Sequence, residues 1–365
     1  MSDLGGTERE PITTEEAISR RVRRTSKGVQ RRRRVVGLGG LIIIVVILVA
    51  ATWYELESHA LGPEGQEVVV TVPTGASVSS IAGALSGHGI ISSSLAFHLF
   101  DLVHGTPSVQ PGNYLFHKNL TFGQVHAILS GGPNIYVVDV SRGLMLSEVA
   151  SQVDGLPGHQ NSSFAKVAAS GVVYSIYSPF GSKDLEGMLG TGAYLVYPGE
   201  SDTTLLKQMV TRFEKQAETA GLTTASAQVL GLTPYQVITA ASIVEKEGYI
   251  YANMPDVARV IYNRLAADMP LQMDSTVLYA LGQDGGKVTS QDLALRSPYN
   301  SYLNTGLTPT PICSPSPQAL AAAVHPPAGG WLYFELVKKD GTEAFADTFA
   351  EQLANEKLSQ QRGLG

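Results

Sequence analysis

The chain has 365 residues, length for two or three domains, and its 44% apolar content can supply a core. The net charge of −6 averages two unlike parts: residues 20–34 hold nine Lys and Arg and no acid, whereas from residue 55 onward 16 Lys and Arg face 27 Asp and Glu. The single cysteine, Cys313, excludes an intrachain disulfide, so any exported part stands on its core alone, and Cys313 reads as a packing residue.

The first 34 residues read as a basic cytoplasmic tail, polar and disordered over residues 1–19. VVGLGGLIIIVVILVAATWY, residues 35–54, carries no charge and no polar stripe. Twenty helical residues span about 30 Å, the thickness of the bilayer hydrocarbon. A cleaved secretory signal is the rival reading. Its apolar stretch runs to only about 7–15 residues, and this longer run ends in the interfacial pair Trp53-Tyr54, so an uncleaved single-pass anchor is expected. The basic run before it places the N-terminus in the cytoplasm and the remainder outside the membrane. The span already accounts for those cations, and nucleic acid is not an expected partner.

Residues 55–66 look like a linker. EVVVTV then predicts a strand, with Val68, Val70 and Val72 or their alternates facing a core. VSSIAGALSGHGI after Ser77, and SSSLAFHLFDLVHG up to Gly105, predict two short helices. VQPGNYLF predicts a returning strand and LTFGQVHAILSGG another helix. TGASVSSIAGAL, KNLTFGQVHAIL and RGLMLSEVASQV form a weak repeat, each a capped helix start after a strand. The first of these resembles the start of LysM modules, which bind N-acetylated glycan strands; any short capped helix shares the pattern. Residues 142–230 alternate helical stretches with Gly/Ser/Pro loops. Among them DLEGMLGTGAYLVYPGES, with Glu186, Tyr194 and Tyr197, suits a cleft wall or an ordinary loop.

GLTPYQVITAASIVEKEG carries the clearest helix signals. Thr233 caps it, Pro234 fits the first position, Gln236 completes a capping box and Gly248 stops it. Glu245 shares a face with Ile238, Ala241 and Ser242, and Glu247 with Ala240, Ile243 and Val244. Periodicity does not choose between the two glutamates. A desolvated carboxyl has the raised pKa that a general acid needs; two solvated charges near a helix end are the plain alternative. Downstream, MPLQMDSTVLYALG places Gln272 and Asp274 beside an apolar strand or helix start. SPYNSYLNTGLTPTPICSPSPQAL sets Tyr299, Asn300, Tyr302 and Asn304 in a Pro-rich loop of the kind that either faces sugars or is only ordered by its tyrosines. There is no H-E-x-x-H, G-x-S-x-G or Walker loop, and Ser242 has Lys246 at +4 rather than +3. His98 and His104 lack a metal-ligand spacing.

ASIVEKEG, VARVIYNRL, MPLQMDSTVLYALG, SPYNSYLNTGL, AAAVHP and WLYFEL follow in one order. This set resembles the YceG-like endolytic murein transglycosylase family, over about residues 67–355 and most specifically over 241–306. The resemblance implies an α+β architecture: residues 1–34 cytoplasmic, 35–54 transmembrane, 55–66 linker, 67–140 a LysM-like βααβ glycan-binding subdomain, and 141–357 a mixed α/β catalytic domain. It implies a lyase that cuts the MurNAc-β-1,4-GlcNAc bond of nascent strands without water, leaving 1,6-anhydroMurNAc ends and terminating glycan elongation. The family's catalytic glutamate falls on Glu245. Glu186, Gln272, Asp274, Tyr299 and Asn300 match motif positions and are carried over as substrate-cleft residues. No metal or cofactor is implied; the implied partners are glycan strands, the membrane and the wall synthases, at the bacterial cell membrane with the catalytic part outside. One carboxyl suffices because the muramoyl C6 hydroxyl is the nucleophile, whereas hydrolytic glycosidases generally use two. The chain departs from the family pattern at GLTPTPI, at LVYPGES, and at Glu343 and Gln352, where histidines are usual. A non-catalytic scaffold of the wall machinery, and a hydrolysing muramidase using Asp274 or Glu186 as a second carboxylate, are the alternatives.

Overall fold

The computed structural model describes residues 14–59, 62–159 and 163–364, with side chains from Arg31 onward. The chain divides into two compact units, Met1–Asn134 and Ile135–Gly365. The disorder expected over residues 1–19 lies outside the described residues up to residue 13; from Thr14 the chain is helical.

The first unit opens with α1 (Thr14–Ser58), of which Arg31–Ser58 is long and apolar enough to cross a membrane. The helix runs past residue 54 into the stretch expected to be a linker, because ELES contains no breaker. Next come β1 (Glu67–Val72), α2 (Val78–Gly87), α3 (Ser94–His104), β2 (Gly112–His117) and α4 (Phe122–Gly131). β1 and β2 pair antiparallel, Val70 opposite Tyr114, closing a βααβ unit. Period-2 alternation puts Val70 and Val72 inward and leaves Val69 exposed. They pack with Ile81, Leu85, Phe97, Phe116 and Leu129. Ser77 accepts the Ser80 amide to cap α2, and Thr121 and Gln124 form a capping box on α4.

The second unit holds β3 (Tyr136–Val140), paired antiparallel with β4 (Gly192–Val196), and β5 (Tyr333–Leu336), paired with β6 (Glu343–Ala346). The division therefore precedes β3, at 134/135, where the sequence suggested 140/141. The helices are α5 (Leu146–Asp154), α6 (Ser163–Ser170), α7 (Asp202–Thr219), α8 (Thr224–Val229), α9 (Pro234–Glu247), α10 (Met254–Ala266), α11 (Asp274–Ala280), α12 (Ser290–Leu293), α13 (Pro317–Val324) and α14 (Phe349–Gln361). Each segment of the weak repeat is a helix following a strand: α2 after β1, α4 after β2 and α5 after β3.

α9 is the axis of this unit. Every residue from Val237 to Glu245 is buried, as expected of a helix apolar all round. The reason is that two cores share it. Val237, Ile238 and Ala241 pack with β3, β4, α5 and α7. Ala240, Ile243 and Val244 pack with Met254, Val257, Ile261, Leu271 and Ile312. Thr233 caps the helix, Gln236 completes the box, and Gly248 is the C-cap.

Candidate active site

Both faces of α9 are covered, so each of its two last glutamates emerges among packed residues. Glu245 continues the Ile238–Ala241 line, and its side chain is only 2% exposed. Two donors meet its carboxylate. The amide of Ser316, the N-cap of α13, donates to Oε2 at 2.8 Å, and Arg142 Nη1 lies 3.3 Å from Oε1. The Arg142 side chain is 41% exposed and its guanidinium stands 4.7 Å above the Tyr251 ring. The cation therefore sits on the solvent side of a buried acid.

The backbone around the acid is tied to the segment before α13. Ile312 donates its amide to Ser242 Oγ at 2.9 Å, and the Cys313 thiol donates to the Ser242 carbonyl at 3.2 Å. Gly143 donates its amide to the Ser314 carbonyl at 2.9 Å, and the Ser314 amide donates to the Leu144 carbonyl at 2.8 Å. The chain carrying Arg142 is thereby fixed beside α9. Cys313 is buried, as a packing residue should be. Burial pushes its thiol well up, and the charges of Glu245 and Glu186 act in the same direction.

Glu186 lies at the other end of the 142–146 segment. Its Oε1 accepts the amides of Leu146 (3.0 Å) and Gly187 (3.2 Å), and Oε2 accepts the Tyr279 hydroxyl at 3.2 Å. Burial raises its carboxyl to about 7 against those donors. Glu186 lines a cleft of about 880 Å³ together with Leu146, Lys183, Asp184, Tyr279 and Tyr299. The Tyr279 and Tyr299 rings lie 4.9 Å apart, and the Tyr299 hydroxyl bonds Thr310 Oγ1 at 2.9 Å. Glu245 does not line this cleft; the Arg142–Leu146 segment connects the two. At Gly187 (φ 73°) an added Cβ would lie 2.3 Å from Pro311 Cβ and 3.0 Å from the Cys313 carbonyl, so the loop bearing Glu186 packs directly on the segment that precedes Ser316.

Asp274 lies near Glu247 instead, its charge adding to the upward shift there, while Gln272 Oε1 accepts from Arg264 Nη1 at 3.4 Å. Glu247 Oε1 accepts the Ser275 amide (3.2 Å) and hydroxyl (2.5 Å), and burial raises its carboxyl. Asp274 is exposed at the start of α11 and accepts the Tyr302 hydroxyl at 2.6 Å. Gln272 is exposed and takes a left-handed backbone (φ 52°), a costly conformation for a side-chain-bearing residue. The Ser301 carbonyl accepts its amide at 3.1 Å. Asn300 is buried, and its amide donates to the Leu293 and Leu295 carbonyls, both at 2.9 Å, while its oxygen accepts the Tyr302 amide at 3.0 Å. Its side chain braces the loop that carries Tyr299 and Tyr302. Tyr194, from the Gly-rich segment, is buried under Arg212, 4.0 Å from its ring. Glu343 is buried in β6 beside the Glu247 group and is raised to about 7 by burial, with Glu247 adding repulsion.

Sequence reasoning passed over Arg142, Tyr279 and Ser316. Arg142 and Tyr279 sit inside segments already singled out, RGLMLSEV and STVLYALG, but nothing in their spacing ties them to Glu245 or Glu186. Ser316 meets Glu245 through its backbone amide, and the helix-cap signal of its side chain says nothing of that contact.

The geometry defines a mixed α/β protein with a buried glutamate on a central helix, hydrogen-bonded by one backbone amide and paired with one arginine, next to an aromatic cleft that holds a second carboxyl. The YceG-like family model matches residues 70–358, and the chain belongs to that family. It is 31% identical over 300 residues to an endolytic murein transglycosylase of Bacillus subtilis (strain 168), across 78% of this chain and 82% of the relative. It is 28% identical over 311 residues to an endolytic murein transglycosylase of Streptococcus pneumoniae (strain ATCC BAA-255 / R6), spanning 56% of that longer protein. The crystal structure of a YceG-like protein from Listeria monocytogenes matches with a TM-score of 0.55 at 25% identity, covering 79% of this chain and 98% of that one.

Proposed function

We propose that this chain is an endolytic murein transglycosylase, a lyase that cuts the MurNAc-β-1,4-GlcNAc bond of peptidoglycan and leaves 1,6-anhydroMurNAc ends. The observation that carries the residue assignment is Glu245: buried, held by the Ser316 amide and Arg142, and covered by one exposed cation. A carboxyl so fixed gives its proton to the leaving oxygen and then, as carboxylate, accepts the proton of the muramoyl C6 hydroxyl. The intramolecular nucleophile supplies its own effective concentration, so no second carboxylate has to activate water. Glu186 and Asp274, the candidates for that second role, already accept bonds from neighbouring donors.

Glu186 and Tyr299 would contact glycan from the cleft, with Gln272 and Asp274 on the exposed rim of α11, while Asn300 would act through the loop it braces. The βααβ unit would serve as a LysM-like glycan-binding module. Arg31–Ser58 would anchor the protein in the bacterial cell membrane, the basic tail inside and the catalytic unit outside. Cutting close to the membrane would terminate nascent strands, with wall synthases as partners.

Mass spectrometry of digested peptidoglycan tests the reading. Wild-type protein should release fragments ending in 1,6-anhydromuramic acid, and folded Glu245→Gln protein should release none. Reducing ends would identify a hydrolase instead, and full activity in Glu245→Gln would reject the residue assignment.

A further inference from the structure

The first unit carries an apolar surface that its own fold does not use. α3 turns Ala96, Phe97 and Asp101 inward. Its other side presents Leu95, Leu99, Leu102 and Val103, exposed at 63%, 41%, 70% and 77%. At 100° per residue these four side chains fall within about 100° of arc, one continuous stripe. A single exposed leucine is ordinary, but a whole helix face is not.

Two observations within the same unit say what covers it. The Ser92 hydroxyl, just before α3, donates to the Glu57 carbonyl of α1 at 2.9 Å, and α3 packs against the end of α1. Glu57 lies three residues past the uncharged run that ends at Tyr54, so about 5 Å beyond the hydrocarbon edge at 1.5 Å per residue. That is headgroup depth, and Trp53 and Leu56 are exposed in the same turns. The second observation concerns charge: residues 92–105 contain no Lys or Arg, and the one acid, Asp101, faces the core.

We propose that α3 lies on the lipid surface that α1 crosses, with Leu95, Leu99, Leu102 and Val103 immersed at the headgroup–acyl boundary, where interfacial helices bury an apolar face. The contact is apolar, so it requires no anionic lipid. It rests on the reading of α1 as a membrane anchor. Its consequence is that the βααβ unit is held against the bilayer by a second contact besides the anchor.

Spin labels on the full chain, reconstituted into vesicles of zwitterionic lipid, test it. Single cysteines replace Leu99, Leu102 or Val103 on α3, Ser80 on the exposed side of α2, and Ile44 in α1, each in a chain whose buried native Cys313 is replaced by serine. With Ile44 in lipid, the α3 labels should collide with oxygen and be shielded from a water-soluble nickel chelate, about tenfold in the ratio relative to Ser80. Anionic lipid or added salt should not change that. If Ile44 reports lipid while the α3 labels report water, the proposal is wrong and the anchor stands. If the α3 labels are immobile and shielded from both probes, protein covers the stripe, a second copy being the first suspect, and the lipid contact is again rejected. If Ile44 itself reports water, the anchor reading fails and this inference with it.

Discussion

Glu245 and Arg142 form a pair whose partners differ sharply in exposure, and that difference sets what a substitution does. Removing the cation leaves a buried carboxylate with a single donor, the Ser316 amide. Solvent reaches Arg142, which moderates the stability loss relative to a fully buried pair. Arg142→Met should therefore keep the fold, with a melting temperature a few degrees lower, and cut kcat by roughly 10²-fold through a misplaced carboxyl. A steady-state assay with a defined glycan separates kcat from KM; unchanged kcat would remove Arg142 from the site. Glu343 makes a pH prediction. Its carboxyl is raised from 4.5 to about 7, chiefly by burial, and its Oε2 has no hydrogen-bond partner among the described residues. The folded state holds this proton more tightly than the unfolded chain, so the stabilising contribution is present below about pH 4.5 and is lost as pH rises through about 7. Glu186 acts in the same sense. Glu343→Gln should thus be more stable than wild type at pH 8, by on the order of 1–3 kcal/mol, and nearly equal to it at pH 4.5. Urea midpoints at the two pH values check the difference; equal curves at pH 8 would contradict it.

Among the elements, α9 and the Glu186 loop bear most on the chemistry. α9 is built from local signals, the capping box at its start and Gly248 at its end, and is then enclosed by two cores. Ile243→Ala should open a cavity on the α10 side and cost about 2–5 kcal/mol. Thr233→Ala should cost only about 1 kcal/mol, the worth of a cap. Denaturant titration of the two variants should rank them in that order. The Glu186 loop depends on Gly187, where a side chain meets Pro311 and the Cys313 carbonyl in a backbone region that disfavours one. Gly187→Ala should displace the loop from the 311–316 segment. We expect a loss of 1–3 kcal/mol, roughly the cost of overpacking, together with reduced cleavage. Wild-type cleavage in that variant would mean that the cleft tolerates movement of Glu186.

For the whole molecule, no residue placed at the site precedes Arg142, and the first unit has its own core. A chain lacking residues 1–58 should still produce anhydro ends from isolated peptidoglycan. Loss of the chemistry on purified glycan would show that the apolar helix does more than anchor. Within the first unit, the buried Asp101 has no hydrogen-bond partner among the described residues for either oxygen, and burial raises its carboxyl, with His126 and His98 opposing.

Much of this protein is local, and the local part was legible in its sequence. An uncharged run of membrane length, β1 with its alternating valines and the returning β2, the helices bounded by Ser77, Gly105 and Gly248, and the boxed start of α9 all follow from periodicity and capping. Both depend on residues at most a few positions apart. The order of the ASIVEKEG, MPLQMDSTVLYALG and SPYNSYLNTGL segments was enough to indicate the family. Sequence periodicity could not choose between Glu245 and Glu247, because α9 is apolar all round and offers no polar face as a reference. Nor could it distinguish Tyr299, which lines a cleft, from Asn300, which is turned into its own loop. Those outcomes depend on contacts between residues far apart in the chain, Arg142 and Ser316 on Glu245, Leu146 and Tyr279 on Glu186, and Ser275 on Glu247. Only the packing of two cores against one helix brings them together.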